Sequence, residues 1–123
     1  MPTFSKISEE RLRTCHDDLQ RVARAAIKRF DFCVLQGHRS KEHQHDAFVD
    51  GKSKLDWPNS KHNKTPSRAM DLAPYPIDWS NEDSFRQLAT IVLEEAAKLG
   101  VELVWGGTFK TLVDLPHFEL AGD

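Results

Sequence analysis

An aspartate stands in the middle of an otherwise apolar run, Ala69-Met70-Asp71-Leu72-Ala73. The run has the length and composition of a strand, and Pro74 and Pro76 stop it. A carboxylate buried without a partner costs several kcal/mol, so any fold that buries this strand must bring Asp71 a cation, a metal or several donors. A salt bridge to an arginine and a strand-end cap are the structural alternatives to a functional site.

The remainder of the chain supplies ordinary material for a core. Its 123 residues fit one domain, spanning 1–123, and 39% of them are apolar against 29% charged. That composition excludes disorder, and the absence of any long apolar stretch excludes membrane insertion. The formal charge is −2, which gives no nucleic-acid footprint. The first 71 residues hold 14 basic and 10 acidic side chains, and the rest hold 3 and 9. Six of the bases, Arg11, Arg13, Arg21, Arg24, Lys28 and Arg29, fall on the first helical segment. A solvated helix face accounts for them, with weak attraction to an anionic surface as the alternative. The N-terminus has no apolar core of a signal peptide, so a protein held in the cytoplasm until release is expected. Cys15 and Cys33 sit at apolar-periodic positions and read as buried free thiols.

Leu12, Cys15, Leu19, Val22, Ala23, Ala26, Ile27 and Phe30 recur at three- and four-residue steps, predicting one helix of about six turns starting near Ser8. A strand over 32–36 closed by Gly37, a short helix from Ser40 to about Val49, and a long loop over 51–68 follow. Phe85, Leu88, Ala89, Val92, Ala96 and Leu99 define a further helix, with Ser80 and Asp83 as its capping box and Gly100 as its stop. Short strands are expected over 101–105 and 116–120, with a turn at Gly106-Gly107. The order predicts an α+β domain, helices packed on one face of a small, mostly antiparallel sheet.

Three residues share the chemistry of a metal site. His62 lies in a polar loop, while Asp71 and His117 lie in apolar strands. Two imidazoles and one carboxylate form a recurring catalytic zinc set with the fourth place open. For each histidine alone, a satisfied half-buried ring is the alternative. Asp114 precedes His117 by three residues and Glu119 follows it by two, on the same strand face. Either carboxylate can act as base or hold the ligand's other N–H, and Asp114, on the preceding loop, is better placed as base. Arg39, after Gly37-His38, can polarise a carbonyl, or else is a surface arginine. His43 and His45 are a weaker metal pair, since positions two apart on a helix do not share a face.

Taken together, Gly37-His38-Arg39-Ser40 with Gln44, Ser60-Lys61-His62, Ala69-Met70-Asp71 and Asp114-x-x-His117-x-Glu119 resemble a zinc peptidase family. That family includes D-Ala-D-Ala dipeptidases and carboxypeptidases, phage L-alanyl-D-glutamate endolysins and the hedgehog signalling-domain fold. The segment from Ser60 to Tyr75 looks most like the endolysin branch. The resemblance implies one Zn2+ bound by His62, Asp71 and His117, Asp114 as base, Arg39 on the oxyanion, and Ser60, Gln44 and Glu119 in binding or support. It implies a monomer that hydrolyses a stem-peptide bond of bacterial peptidoglycan, L-Ala–D-Glu in the endolysin branch. A D-Ala-D-Ala-type carboxypeptidase and a non-catalytic hedgehog-like zinc module are the alternatives. Two departures from the family pattern stand out. The step from His62 to Asp71 is nine residues where many relatives have seven, and the 106–113 stretch is short, which bears on substrate choice.

Overall fold

The computed structural model describes residues 2–110 and 113–122. Four helices, α1 (Lys6–Leu12), α2 (Asp17–Ala26), α3 (Lys41–Val49) and α4 (Glu82–Leu99), accompany four strands, β1 (Phe32–Gln36), β2 (Ala69–Pro74), β3 (Leu103–Trp105) and β4 (His117–Leu120). The strands form one antiparallel sheet in the order β1-β2-β4-β3. This is the α+β architecture expected from the sequence. Among the described residues, no helix is long and apolar enough to cross a membrane.

Alternation along the strands divides the sheet into two chemistries. Met70 and Leu72 of β2, with Phe118 and Leu120 of β4, join Leu19, Val22, Leu88 and Val92 of α2 and α4 in the core. Leu19, Met70, Leu72, Leu88 and Phe118 are each at most 1% exposed, and burying such a side chain stabilises the fold by about 1.5–3 kcal/mol. Asp71, His117 and Glu119 occupy the other face, which leaves the polar set of the sheet together on one side. α3 stands apart from the core layer, and Gln44 is its single buried residue.

The long first helix of the sequence reading is two helices. Ser5, not Ser8, caps α1, its hydroxyl accepting from the Ser8 amide at 3.1 Å. Ser8 is buried instead, and its hydroxyl accepts from the Val34 amide of β1 at 2.9 Å. The chain turns over 13–16. There the Thr14 hydroxyl donates to the Arg11 carbonyl at 2.7 Å, and His16 caps α2 through Nδ1. Leu12, Cys15 and Leu19 remain buried through the turn, so the apolar spacing survives the break that separates the helices.

At α4 the cap is Asn81, accepting from the Ser84 amide at 3.2 Å, while Ser80 spends its hydroxyl on Asp78 at 2.6 Å. The expected box of Ser80 and Asp83 does not form. Gly100 ends the helix in the left-handed region, φ 72°, as its position predicts. Cys15 is buried, and burial pushes its thiol up to about 12, whereas Cys33 is half-buried; neither is paired.

Most of the basic run is neutralised within the fold. Arg24 makes a two-pronged contact with Glu9, Arg29 reaches Glu94 and Glu95 of α4, and Arg21 reaches Asp18. Solvent screens such exposed pairs, so each contributes little to stability. The Arg24–Glu9 pair ties α2 to α1, and the Arg29 pairs tie the segment after α2 to α4.

Candidate active site and metal centre

His62 enters the site from a short 3-10 turn over Lys61–Asn63 in the loop before β2. Ser60 caps that turn. Its hydroxyl accepts from the His62 amide at 3.3 Å, and its own amide donates to the Asn63 side chain at 3.0 Å. The nine-residue step from His62 to Asp71 bulges outward between them. Lys64, Thr65 and Pro66 are exposed, and Ser67 docks against the α1–α2 turn through Thr14 and His16.

His62, Asp71 and His117 converge. His62 Nε2 lies 3.3 Å from His117 Nδ1 and 3.3 Å from Asp71 Oδ1, and His117 Nδ1 lies 3.2 Å from the same carboxylate oxygen. The edge of a tetrahedron with metal–ligand bonds of about 2.0–2.1 Å is about 3.3–3.4 Å, so the three atoms match one face of such a tetrahedron. Among the described residues this is the one group of side chains able to hold a metal.

Each imidazole is oriented from behind. His62 Nδ1 donates to the Gly37 carbonyl at 2.8 Å, which leaves the Nε2 lone pair facing the triangle. His117 Nε2 donates to Glu119 Oε1 at 2.8 Å, which turns Nδ1 inward. Glu119 is held in turn by Lys61 at 2.9 Å. Carboxylate and carbonyl partners of this kind fix the tautomer of a ligand histidine. The donor set, its spacing and its outer hydrogen bonds therefore fit a tetrahedral divalent ion with one free position.

The electrostatics agree. Burial works to raise the Asp71 pKa, but His62 and His117 outweigh it and hold the carboxyl well below the usual carboxylate range. Burial disfavours charge on His117, yet the hydrogen bonds to Asp71 and Glu119 win and raise it to about 9. Glu119 is likewise opposed by burial and brought down to about 2 by His117 and Lys61. The cluster thus draws positive charge toward its centre.

Arg39 sits beside this centre and is fixed on three sides. Nε donates to Gln36 at 3.0 Å, Nη1 to Gln44 at 3.0 Å and Nη2 to Asp71 Oδ2 at 3.4 Å. The salt-bridge alternative for Asp71 is therefore also realised: one carboxylate oxygen faces the imidazoles and the other faces the guanidinium. Asp114 lines the same cleft, about 450 Å3 in volume, together with Arg39, His62 and His117. Burial, then the Asp71 charge, raises the Asp114 pKa above the ordinary value. Its backbone is pinned on both sides, the amide donating to the Gly106 carbonyl at 3.0 Å and the carbonyl accepting from the His117 amide at 3.2 Å.

His62, Asp71, His117, Asp114, Arg39, Ser60, Gln44 and Glu119 line this cleft or hold residues that do, whereas His43 and His45 do not. His45 pairs with Asp56 at 3.1 Å on the exposed side of α3, and the pair His43 and His45 is not among the residues that converge on the triangle. Several contributors escaped sequence reasoning. Phe109 packs against His117 with ring centroids 5.6 Å apart, and Asn63 donates to Gln44 and to the Arg39 carbonyl. Gly106 is pressed so closely against the Asp114 loop that a Cβ would collide with the Asp114 carbonyl and lie 3.0 Å from the Cβ atoms of Asp114 and His117. A double glycine after a strand carries a turn signal, and nothing in it tells of this close approach. Of the short 106–113 stretch, residues 111 and 112 lie outside the described residues.

The family model described as phage L-alanyl-D-glutamate peptidase matches residues 2–120. An L-alanyl-D-glutamate peptidase of Escherichia phage T5 is 32% identical over 116 residues, covering 90% of this chain and 84% of that protein. Among solved structures, the Serratia marcescens L-Ala D-Glu endopeptidase ChiX is similar with a TM-score of 0.84 and 34% identity, covering 97% of this chain and 90% of that one.

Proposed function

The chain belongs to the phage L-alanyl-D-glutamate peptidase family, and from that membership we propose that it hydrolyses the L-Ala–D-Glu bond of bacterial peptidoglycan stem peptides with the help of one zinc ion. The observation that carries the metal is the triangle of His62 Nε2, His117 Nδ1 and Asp71 Oδ1, with edges of 3.2–3.3 Å. A zinc held there supplies Lewis acidity toward the scissile carbonyl and lowers the pKa of water toward ~7.

The chain's own groups carry the proton and the charge. The Asp114 carboxylate accepts the proton of the attacking water and returns it to the departing amine, a role suited by its raised pKa. The Arg39 guanidinium lines the cleft and has five N–H donors, of which those not spent on Gln36, Gln44 and Asp71 remain for the oxyanion. Because its neighbours fix it before substrate arrives, little reorganisation accompanies the reaction. Glu119 and the Gly37 carbonyl keep the two imidazoles in the tautomers a metal needs. Ser60 holds the His62 turn, and Gln44 holds Arg39.

The second reading, a zinc module that only binds, leaves a half-buried acid with no side-chain partner among the described residues and a fixed arginine in one cleft without a purpose. Mass analysis of fragments released from purified peptidoglycan separates the possibilities. The expected products carry a new amino terminus on glutamate, and a chelator stops their release. Release of D-alanine alone points to a carboxypeptidase, and no release at all points to the binding module; either result overturns the proposal.

A further inference from the structure

The cleft has a second wall that takes no part in the proposed chemistry. It is the loop after α3, and its Lys52, Lys54 and Leu55 line the same space as Arg39 and Asp114. Two other cations of the cleft are already paired: Arg39 with Asp71 and Lys61 with Glu119. Lys52 and Lys54 are exposed and have no carboxylate partner among the described residues. Their loop is nevertheless held in place. The amides of Lys52 and Ser53 donate to the Ala47 carbonyl at 2.9 and 3.0 Å. The buried Gln44 donates to the Ser53 hydroxyl at 2.9 Å and to the Leu55 carbonyl, while its oxygen accepts from Arg39. One side chain thus fixes the lysine wall relative to the arginine of the proposed chemistry.

We propose that Lys52 and Lys54 bind the free carboxylate of the glutamate on the leaving side of the scissile bond, so that the enzyme selects an ionised glutamate over its carboxamide. This rests on the L-Ala–D-Glu reading above and names the group that the cleft reads. The departing nitrogen is bonded to the glutamate Cα. Glutamate has two carboxyl groups and the stem continues through only one, so the other remains an anion a few bonds from the reacting centre. Arg39 and Lys61 offer such an anion less, because Asp71 and Glu119 already balance them. The unpaired ammonium groups across the cleft attract it, and long flexible lysines adapt to a carboxylate whose position varies with the linkage.

The test uses two stem tripeptides that differ only at this group, carboxylate in one and carboxamide in the other. kcat/KM is measured for the wild type, for the double variants Lys52→Ala with Lys54→Ala and Lys52→Arg with Lys54→Arg, and at low and high salt. The wild type is expected to prefer the carboxylate by about tenfold, the scale of a charge-assisted hydrogen bond. The alanine pair brings the ratio close to one, the arginine pair keeps it, and salt diminishes it in the wild type because both lysines are exposed. Equal rates on the two peptides in the wild type, or a preference that survives in the alanine pair, overturns the lysine assignment alone. A wild type that cleaves neither peptide overturns the bond assignment on which it rests.

Discussion

Asp114→Asn is expected to retain zinc, the fold and the cleft while losing hydrolysis by about 10²–10⁴, the usual contribution of a positioned acid–base group. The substitution preserves shape and removes basicity. Asp114 holds its place through backbone bonds to Gly106 and His117, which asparagine keeps, so a loss of rate is not a loss of structure. Glu119 is the other acid near the centre, and its environment argues against it as base. One of its oxygens is engaged by His117 at 2.8 Å and the other by Lys61 at 2.9 Å, and those partners bring its pKa down to about 2. A carboxylate so stabilised is a poor proton acceptor. Asp114 is shifted the other way, by burial and by the Asp71 charge. Full turnover by Asp114→Asn, measured by steady-state hydrolysis of a stem peptide, transfers the role to Glu119.

The second large effect is on the metal itself. His117→Ala removes one corner of the triangle and takes one hydrogen-bond partner from each of Asp71 and Glu119. Zinc content, measured by elemental analysis after purification, is expected to fall from one per chain to near zero. The wild type should gain stability from zinc, about 4 kcal/mol at a free concentration a thousandfold above the dissociation constant, and the variant should not. Parallel melts with zinc and with chelator read this directly. A variant that keeps one zinc per chain removes His117 from the site.

Much of this molecule was legible in its sequence because the relevant signals are local. The period of α4, the brevity of β1 and the lone acid in β2 each follow from a few adjacent residues, and the structure reproduces them. The break between α1 and α2 was hidden because Leu12, Cys15 and Leu19 stay on one buried side through the turn, while Thr14 and His16 satisfy the backbone ends with side chains. The cap of α4 was misplaced because Ser80 and Asn81 are both good caps, and only the Asp78 carboxylate, which claims the Ser80 hydroxyl, decides between them. At the site, residue type pointed to His62, Asp71, His117 and Arg39. Glu119, two residues after His117, was legible as a support, whereas the supports that act across the chain were not. The Gly37 carbonyl meets His62 over 25 residues, Lys61 in the loop before β2 meets Glu119 of β4, and Gly106 matters through the side chain it lacks.

The claim on which all of this depends is that the His62, Asp71 and His117 triangle holds a zinc ion. Anomalous diffraction from crystals of the zinc-loaded protein, recorded on both sides of the zinc absorption edge, tests it most directly. The expected result is one peak about 2.0–2.2 Å from His62 Nε2, His117 Nδ1 and Asp71 Oδ1. A peak elsewhere, for instance at His45 and Asp56, or no peak with the three side chains bonded only to one another, contradicts the account.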